Sequence, residues 1–195
     1  MTVKTFPRID KLIRHATPLL NEVDTVSFDV FDTLLIRRIH DPDLLKQPVA
    51  QYIATLANHQ TGSELSWEQA QACRDKHERA MRDKTGETFV DQEAHYPTFM
   101  RHLVEELFER DFDASYAQIW AYELKMENSM LLPRAEFSQW LSELKQQGKR
   151  ILAISDMYLS AAQIEAFLEH AGLLEFIDEV VSSAEEITAH IVKKF

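Results

Sequence analysis

The chain has 195 residues, of which 45% are hydrophobic and 27% charged, and this composition is typical of a globular protein rather than a disordered one. Its 32 acidic residues outnumber the 21 basic ones, which gives a formal net charge of −11 at pH 7. That charge disfavours nucleic-acid and membrane partners that bind a broad basic surface. The single cysteine, Cys73, excludes an internal disulfide and a cysteine-rich zinc site. The sequence has no apolar run of about 20 residues and no apolar signal core, so we expect a cytoplasmic protein.

The first segments predict a helix and then a strand. Apolar residues in FPRIDKLIRHA recur at helical spacing, and Pro7 takes a favourable first-turn position. The following TVSFDVF alternates in polarity and is rich in β-branched and aromatic residues, which predicts a strand that ends near Phe31.

The segment from residue 41 to about 130 has a helical pattern throughout. Ser66 with Gln69 and Ser115 with Gln118 fit the capping box, in which the two side chains satisfy each other's free backbone amides. These boxes predict helices that begin directly after Ser66 and Ser115. We expect breaks between helices at 59–63, 85–88, 95–97 and 111–114.

The last third of the chain predicts alternating helices and strands. A helix over 134–147, a strand over 150–155, a helix that opens at Ser160 and a strand over 178–182 follow one another. Gly148 and Gly172 end the two helices. Strands separated in this way pair in parallel through right-handed crossovers.

Polar side chains stand at the ends of two of these predicted strands. Asp29, Asp32 and Thr33 follow the first, and Ser155 with Asp156 follows the strand over 150–155. In open α/β sheets the ligand crevice forms at the carboxyl ends of strands. Asp29 and Thr33 are also compatible with simple capping of a turn. Because Ser160 already caps the next helix, we expect Ser155 to be exposed at the crevice.

Two motifs resemble those of the haloacid dehalogenase (HAD) superfamily of hydrolases. FDVFDTLL is similar to the first motif and ILAISDMYL to the second, and LLPRAEFSQWLSELKQQGKRILAISDMYLS resembles a bacterial subgroup often linked to glycosyltransferases. The resemblance implies an α/β fold with a Rossmann-like, three-layer core built on a parallel sheet. This core would comprise 1–39 and 133–195, and a helical cap over 40–132 would be inserted after the first strand.

The resemblance also implies roles for the polar residues at the strand ends. Asp29 would be the nucleophile that forms an aspartyl-phosphate, with its carboxylate and the Phe31 carbonyl holding Mg²⁺. Ser155 would hydrogen-bond a phosphoryl oxygen. Thr33 and Asp156 would lie beside the substrate, with Thr33 chiefly supporting the turn.

The chain departs from the family pattern at the acid–base position. Family phosphatases carry a second aspartate two residues after the nucleophile, but this chain has Phe31 there and Asp32 one residue later. A distorted turn would be needed for Asp32 to serve as catalytic acid and base. Haloacid dehalogenases also carry an aromatic residue at this position, because a halide leaves without a proton.

The later motifs of the family are not recognisable. Lys193 or Lys194 could serve as the third-motif lysine, but no sequence pattern supports either, and two lysines also favour the end of a helix. Glu185 and Glu186 are interpreted as acids of a first helical turn. We therefore expect a core truncated at its carboxyl end, with three parallel strands and an incomplete Mg²⁺ site.

These features lead to one hypothesis and two alternatives. The hypothesis is a HAD-type phosphatase that acts on a small phosphorylated metabolite, with impaired activity in this chain. The alternatives are a non-catalytic HAD-fold binding or interaction domain and a dehalogenase-like hydrolase. We also expect self-association or a partner chain at the sheet edge near Val180 and Val181.

The other polar clusters carry weaker signals. His95 and His102 lie about two turns apart and have little support as a metal site. Arg74, with Arg79 and Arg82, is expected on a solvated charged face. Cys73 has no neighbouring base in its sequence pattern and is expected to be inert.

Overall fold

The structure is a computed structural model, and it describes residues 3–90 and 92–186. Its helices are α1 (Ile9–Ala16), α2 (Lys46–Thr61), α3 (Trp67–Gly86), α4 (Tyr96–Leu107), α5 (Phe112–Met130), α6 (Ala135–Gln146) and α7 (Ala161–His170). Its strands are β1 (Thr25–Asp29), β2 (Leu35–Arg37), β3 (Leu131–Pro133), β4 (Arg150–Ser155) and β5 (Glu179–Ser182). Short 3-10 helices cover Thr17–Glu22, Pro42–Leu45 and Leu174–Phe176.

The central sheet has the strand order β1-β4-β5, and both neighbouring pairs are parallel. The register places Asp29 opposite Ile154 and Ser155 opposite Ser182. The carboxyl ends of the three strands therefore lie at the same end of the sheet. The predicted parallel α/β fold is confirmed, and within the described residues the sheet has the three strands expected from the sequence.

The two faces of this sheet differ in what covers them. Phe28 on one face packs edge-on against Phe137 and Trp140 of α6, with ring centroids 5.9 and 5.4 Å apart. On the other face Ser27 and Asp29 are exposed, and Ile154 is 42% exposed although it is large and apolar. Among the described residues this second face is open, and Asp29 belongs to it.

The segment between β2 and β3 is helical, as its apolar spacing predicts, with the 3-10 helix Pro42–Leu45 followed by α2–α5. Its buried side chains belong to the same apolar cluster as those of the sheet, so one core runs through both parts. The capping box of Ser66 and Gln69 is present at the start of α3. The division into a core and a cap remains a prediction.

One antiparallel pair was not expected from the sequence. The chain leaves the sheet region through β2 and returns through β3, and the pair places Leu35 opposite Pro133 and Arg37 opposite Leu131. Each strand has three residues, which is too short for a recognisable alternation in the sequence. The pair brings both ends of the helical segment to one place beside the sheet.

The capping box predicted at Ser115 is wrong. Helix α5 begins earlier, at Phe112, and Asp111 before it has a φ of +53°. Ser115 lies buried in the first turn, and its hydroxyl accepts a hydrogen bond of 3.0 Å from Gln60 of α2. The serine therefore joins two helices instead of starting one.

The solvated position expected for Arg74 is also wrong. Its side chain is 1% exposed, and its guanidinium donates two hydrogen bonds, of 2.7 and 3.2 Å, to the Glu123 carboxylate on α5. The Tyr96 hydroxyl donates a third bond of 2.6 Å to the same carboxylate. The buried cation and anion thus neutralise each other between α3, α4 and α5.

The acidic residues after β5 lie in a helical turn over 183–186, as the sequence predicts. There the Glu185 carboxylate accepts a hydrogen bond of 3.0 Å from the Ala161 amide, at the first turn of α7. Lys193 and Lys194, considered above for a third motif, lie outside the described residues. No helix of the described segments combines the length and apolar character needed to span a membrane.

Candidate functional site

The chain makes a sharp turn directly after β1. The strand ends at Asp29, two residues earlier than the sequence predicts, and the Val30 carbonyl accepts hydrogen bonds of 2.9 Å from the amides of Leu34 and Leu35. Asp32 within the turn has a φ of +58°. Aspartate tolerates this left-handed conformation better than most side chains with a Cβ. The turn is therefore distorted at the residue where the sequence analysis required a distortion.

Asp29 presents an exposed carboxylate at the start of this turn. The Thr33 hydroxyl donates a hydrogen bond of 2.7 Å to its Oδ2 atom. This bond orients one carboxylate oxygen and leaves Oδ1 available to another group. Thr33 thus supports the turn and the candidate nucleophile together.

Arg134 holds the turn from the opposite end of the helical segment. Its Nε donates to the Thr33 carbonyl at 3.1 Å and its Nη2 to the Asp32 carbonyl at 2.9 Å. Its backbone amide donates to the Leu34 carbonyl at 3.0 Å. Sequence reasoning did not select Arg134, although the residue lies in the LLPRAEF stretch that resembles the HAD subgroup.

Phe31 turns its side chain into the core instead of toward the strand ends. The ring is 8% exposed, packs edge-on against Phe167 of α7 at 6.0 Å, and lies 5.1 Å below the guanidinium of Arg37. A buried phenyl ring transfers no proton. Asp32, which follows it, has an exposed side chain.

Ser155 occupies the last position of β4, on the strand adjacent to Asp29. It is 2% exposed, so the predicted exposure of this side chain is wrong. Its Oγ accepts a hydrogen bond of 3.2 Å from the Met157 amide, which leaves the hydroxyl hydrogen free to be donated. The following Asp156 is exposed.

The loop after β4 contacts the helical segment. The Tyr96 amide, at the start of α4, donates a hydrogen bond of 2.6 Å to the Tyr158 carbonyl, and the two rings stack at 6.1 Å. Burial raises the pKa of the Tyr158 hydroxyl. Trp120 of α5 packs edge-on against Phe167 of α7 at 5.9 Å. Helices α4 and α5 therefore support the elements that follow Ser155.

The family model of haloacid dehalogenase-like hydrolases matches residues 23–194 of the chain. The chain belongs to this HAD family. The match includes β1, the helical segment and the β4–α7–β5 unit. No curated protein sequence matches the chain significantly.

Several solved structures are similar to this HAD chain. A dehalogenase with an intermediate complex shares 14% identity, with a TM-score of 0.40 over 85% of this chain and 64% of its own. YfnB from Bacillus subtilis, a candidate HAD-hydrolase bound to magnesium, shares 17% identity, with a TM-score of 0.41 over 88% and 73%. L-2-haloacid dehalogenase from Xanthobacter autotrophicus, with chloropropionic acid covalently bound, shares 16%, with a TM-score of 0.38 over 88% and 64%. The chain thus spans about two thirds of the length of these dehalogenases.

The residues at the HAD strand ends do not by themselves make a fixed magnesium site. Mg²⁺ requires six oxygen ligands in near-octahedral geometry. Within the described residues, the one group of three acidic, histidine or cysteine side chains with clustered ligand atoms lies elsewhere, on α3 and α4. The Asp29 carboxylate and the Phe31 carbonyl would leave an ion mostly to water.

Proposed function

We propose that this HAD chain hydrolyses the phosphate ester of a small metabolite in the cytoplasm through an aspartyl-phosphate on Asp29. The observation that carries the proposal is the exposed Asp29 carboxylate, which is oriented by Thr33 at the end of a strand that pairs in parallel with β4. A carboxylate at the carboxyl end of a strand is well placed to meet a ligand in the crevice of an α/β sheet.

The first chemical step uses the carboxylate oxygen that Thr33 leaves free. Oδ1 of Asp29 forms a bond to phosphorus while the bond from phosphorus to the ester oxygen breaks, and the alcohol leaves with one proton. Water then attacks the phosphorus of the aspartyl-phosphate and releases inorganic phosphate and the original carboxylate. The Ser155 hydroxyl would donate to a phosphoryl oxygen after a local movement of the loop that follows β4, because the side chain is 2% exposed in the structure. Asp156 lies beside the substrate.

Asp32 is the proposed source of the proton for the leaving alcohol. Phe31 has no proton to give, whereas the left-handed turn redirects the exposed side chain of Asp32. General acid–base help is typically worth about 10² to 10⁴ in rate. We propose that turnover is slow because Phe31 stands at the usual acid position, and that Asp32→Asn lowers it further by slowing formation of the aspartyl-phosphate.

Mg²⁺ is the proposed cofactor, although the described residues supply few of its ligands. Dependence of turnover on Mg²⁺, with half-saturation at high concentration, would support a weak site at Asp29 and Phe31.

A dehalogenase is the second candidate function, and the burial of Phe31 favours it. In that reaction Oδ1 of Asp29 would displace a halide from carbon, and water would hydrolyse the resulting ester. A halide needs no proton to leave, so the absence of an acid at Phe31 costs nothing. Release of chloride from 2-chloropropionate, lost in Asp29→Asn, would support this reaction over phosphate-ester hydrolysis.

Two further parts of the proposal concern organisation and partners. We propose that 1–39 and 133–195 form the core and that 40–132 form the cap over the strand ends.

Within the described residues, β1 and β5 are each paired on one side only, so a second copy or a partner chain would cover an edge near Val180 and Val181. Sedimentation showing a monomer at all concentrations, with no co-purifying chain, would contradict this.

The test is a screen of phosphorylated metabolites at saturating Mg²⁺ with the wild type, Asp29→Asn and Asp24→Asn. Asp24→Asn is the matched control, because it makes the same change immediately before β1 on an exposed residue. We expect slow turnover that is lost only in Asp29→Asn, and a phosphoryl group on the Asp29 peptide by mass spectrometry. Turnover that survives in Asp29→Asn would overturn the mechanism. The absence of turnover on phosphate and halide substrates alike would favour the non-catalytic binding domain.

A further inference from the structure

A group of potential metal ligands lies on the helical segment, away from Asp29. Cys73 and His77 stand one turn apart on α3, and Glu106 faces them from the neighbouring α4. The cysteine sulfur, a ring nitrogen of the histidine and a carboxylate oxygen all lie within 4.8 Å of one another. The inertness expected for Cys73 overlooked these neighbours, since Glu106 is 33 positions further along the chain.

The three side chains match the preferences of one class of ion. Sulfur, imidazole nitrogen and carboxylate oxygen together are ligands for Zn²⁺ and similar transition metals, and Mg²⁺ disfavours sulfur. Zinc bonds of about 2.0 to 2.3 Å in a tetrahedron place ligand atoms roughly 3.4 Å apart. The most widely separated of these atoms would therefore have to approach each other by up to about 1.4 Å. The Glu106 side chain, 41% exposed, has the freedom to make that movement.

We propose that Cys73, His77 and Glu106 bind one Zn²⁺ ion between α3 and α4, with water in the remaining position. The ion would join two helices that are otherwise held by side-chain packing and surface ion pairs. Because the first residues of α4 contact the loop after β4, the site would stabilise the part of the fold that supports this loop.

An ion can reach the group from solvent. Glu106 lines a surface groove together with Thr61, Gln69 and Leu107. The His77 side chain is 16% exposed, and Cys73 is buried. The proposed ligands thus include one at the groove, Glu106, and one buried side chain, Cys73.

Lys76 pairs with the Glu106 carboxylate, which is one of the proposed ligands. Its ammonium donates to both oxygens of the Glu106 carboxylate, at 2.7 and 2.5 Å, and His77 Nε2 lies 2.9 Å from the same carboxylate. The Lys76 side chain is 59% exposed and can turn into solvent when an ion binds. Lys76 is therefore a competitor of the ion, and its removal should strengthen binding.

The thiol adds a second cost to metal binding. Burial, followed by the charge of Glu106, raises the pKa of Cys73 to about 12, so the thiol is protonated at pH 7 without an ion. Coordination requires the thiolate and must release this proton to solvent. We therefore expect an affinity well below that of a zinc site built from several cysteines.

The test is a titration of the full chain, without an affinity tag, first with Co²⁺ and then with Zn²⁺. Cobalt bound by a thiolate absorbs in the near ultraviolet, and zinc bleaches this band when it displaces cobalt. We expect one ion per chain, a sulfur band that is absent in Cys73→Ser, and a rise in the thermal unfolding midpoint with Zn²⁺. Mg²⁺ should produce none of these changes, and Asp29→Asn should leave all of them intact.

Cys73 is buried, so its replacement can also disturb folding. Variants at exposed residues test metal binding without this complication. Glu106→Gln should weaken Zn²⁺ binding by more than about tenfold, because it removes a direct ligand. Glu105→Gln makes the same change at the adjacent exposed position and should bind as the wild type does. Lys76→Met should bind more tightly. Equal affinity of Glu106→Gln and Glu105→Gln, weaker binding by Lys76→Met, or no ion bound at a ratio of one would overturn the site.

Discussion

The Thr33 hydroxyl donates a hydrogen bond of 2.7 Å to Oδ2 of Asp29, four residues earlier in the chain. The bond closes a turn whose backbone is already held by the Val30 carbonyl. The hydrogen bond therefore restrains the Asp29 carboxylate, because Thr33 lies in this held turn. In the proposed reaction this restraint leaves one oxygen, Oδ1, directed at the substrate.

Replacing Thr33 by valine should lower turnover. Thr33→Val keeps the branched shape but loses a hydrogen bond to a charged group, which is typically worth about 1.5 to 3 kcal/mol. We expect kcat to fall by about ten- to a hundredfold if that bond orients the nucleophile. Thr33→Ser retains the hydroxyl and should recover most of the rate. Steady-state kinetics that show equal losses in both variants would assign the effect to packing instead.

Replacing Arg134 by glutamine should loosen the turn that carries Asp32 and Thr33. The variant loses both guanidinium bonds to the turn carbonyls, so we expect kcat to fall more than KM rises. Arg38→Gln is the control, because it makes the same change in charge at an exposed residue. If Arg134→Gln shows wild-type kinetics, the guanidinium does not position the turn.

Local signals in the sequence predicted much of the fold. The strand at 150–155 was found with the expected bounds, and the capping boxes at Ser66 and Ser160 are both present. Each of these features depends on residues within a few positions of one another. The Asp29 and Thr33 pair is local in the same sense, which explains why the turn was recognised as a candidate site.

The features that the sequence analysis missed depend on distant partners. Arg134 bonds to carbonyls about a hundred residues earlier, and Arg74 finds Glu123 on a helix 49 positions later. Ser115 fits a capping pattern, but its contact with Gln60 of α2 follows from helix packing. Helical periodicity gives the face of each helix and does not give the neighbour that this face meets.

Breaking the buried ion pair should strongly destabilise the protein. Arg74→Met leaves the Glu123 carboxylate buried without its cation, and such losses typically cost about 3 to 5 kcal/mol. The double variant with Glu123→Leu removes both charges and should recover much of the loss. Urea unfolding of the two single variants and the double variant measures the coupling between the residues. A fully additive result would show that the pair contributes no specific interaction.

The tyrosine that completes this cluster should make a smaller contribution. Tyr96→Phe keeps the ring and removes the hydroxyl that donates to Glu123 at 2.6 Å. Two guanidinium bonds to the carboxylate remain, so we expect a loss of about 1.5 to 3 kcal/mol in the free energy of unfolding. Tyr122→Phe is the control, because it removes a hydroxyl from a stacked tyrosine on α5. Equal losses in both variants would contradict a specific role for the bond to Glu123.

Protonation of His95 should weaken the fold below neutral pH. The ring lies at the start of α4, its Nδ1 is 2.8 Å from the Thr98 hydroxyl, and its Nε2 is buried without a hydrogen-bond partner. Burial lowers the pKa of His95 below its ordinary value of 6.5, and the negative charge of Glu185 opposes this only in part. The unfolded chain therefore binds a proton at this residue before the folded chain does. As the pH falls through 6.5, the free energy of unfolding should decrease, and the contribution of His95 should level off below its folded pKa.

His95→Gln tests this slope, because glutamine retains polar atoms near Thr98 and does not titrate. Urea unfolding at about pH 7.5 and about pH 5.5 should show a smaller acid-induced loss in the variant than in the wild type. Burial raises the pKa of Glu127, and its opposite effect on stability is present in both proteins and cancels in the comparison. Replacement of the exposed His170 on α7 by glutamine should leave the wild-type slope unchanged. If His95→Gln and the wild type lose the same stability on acidification, the burial of His95 does not control this response.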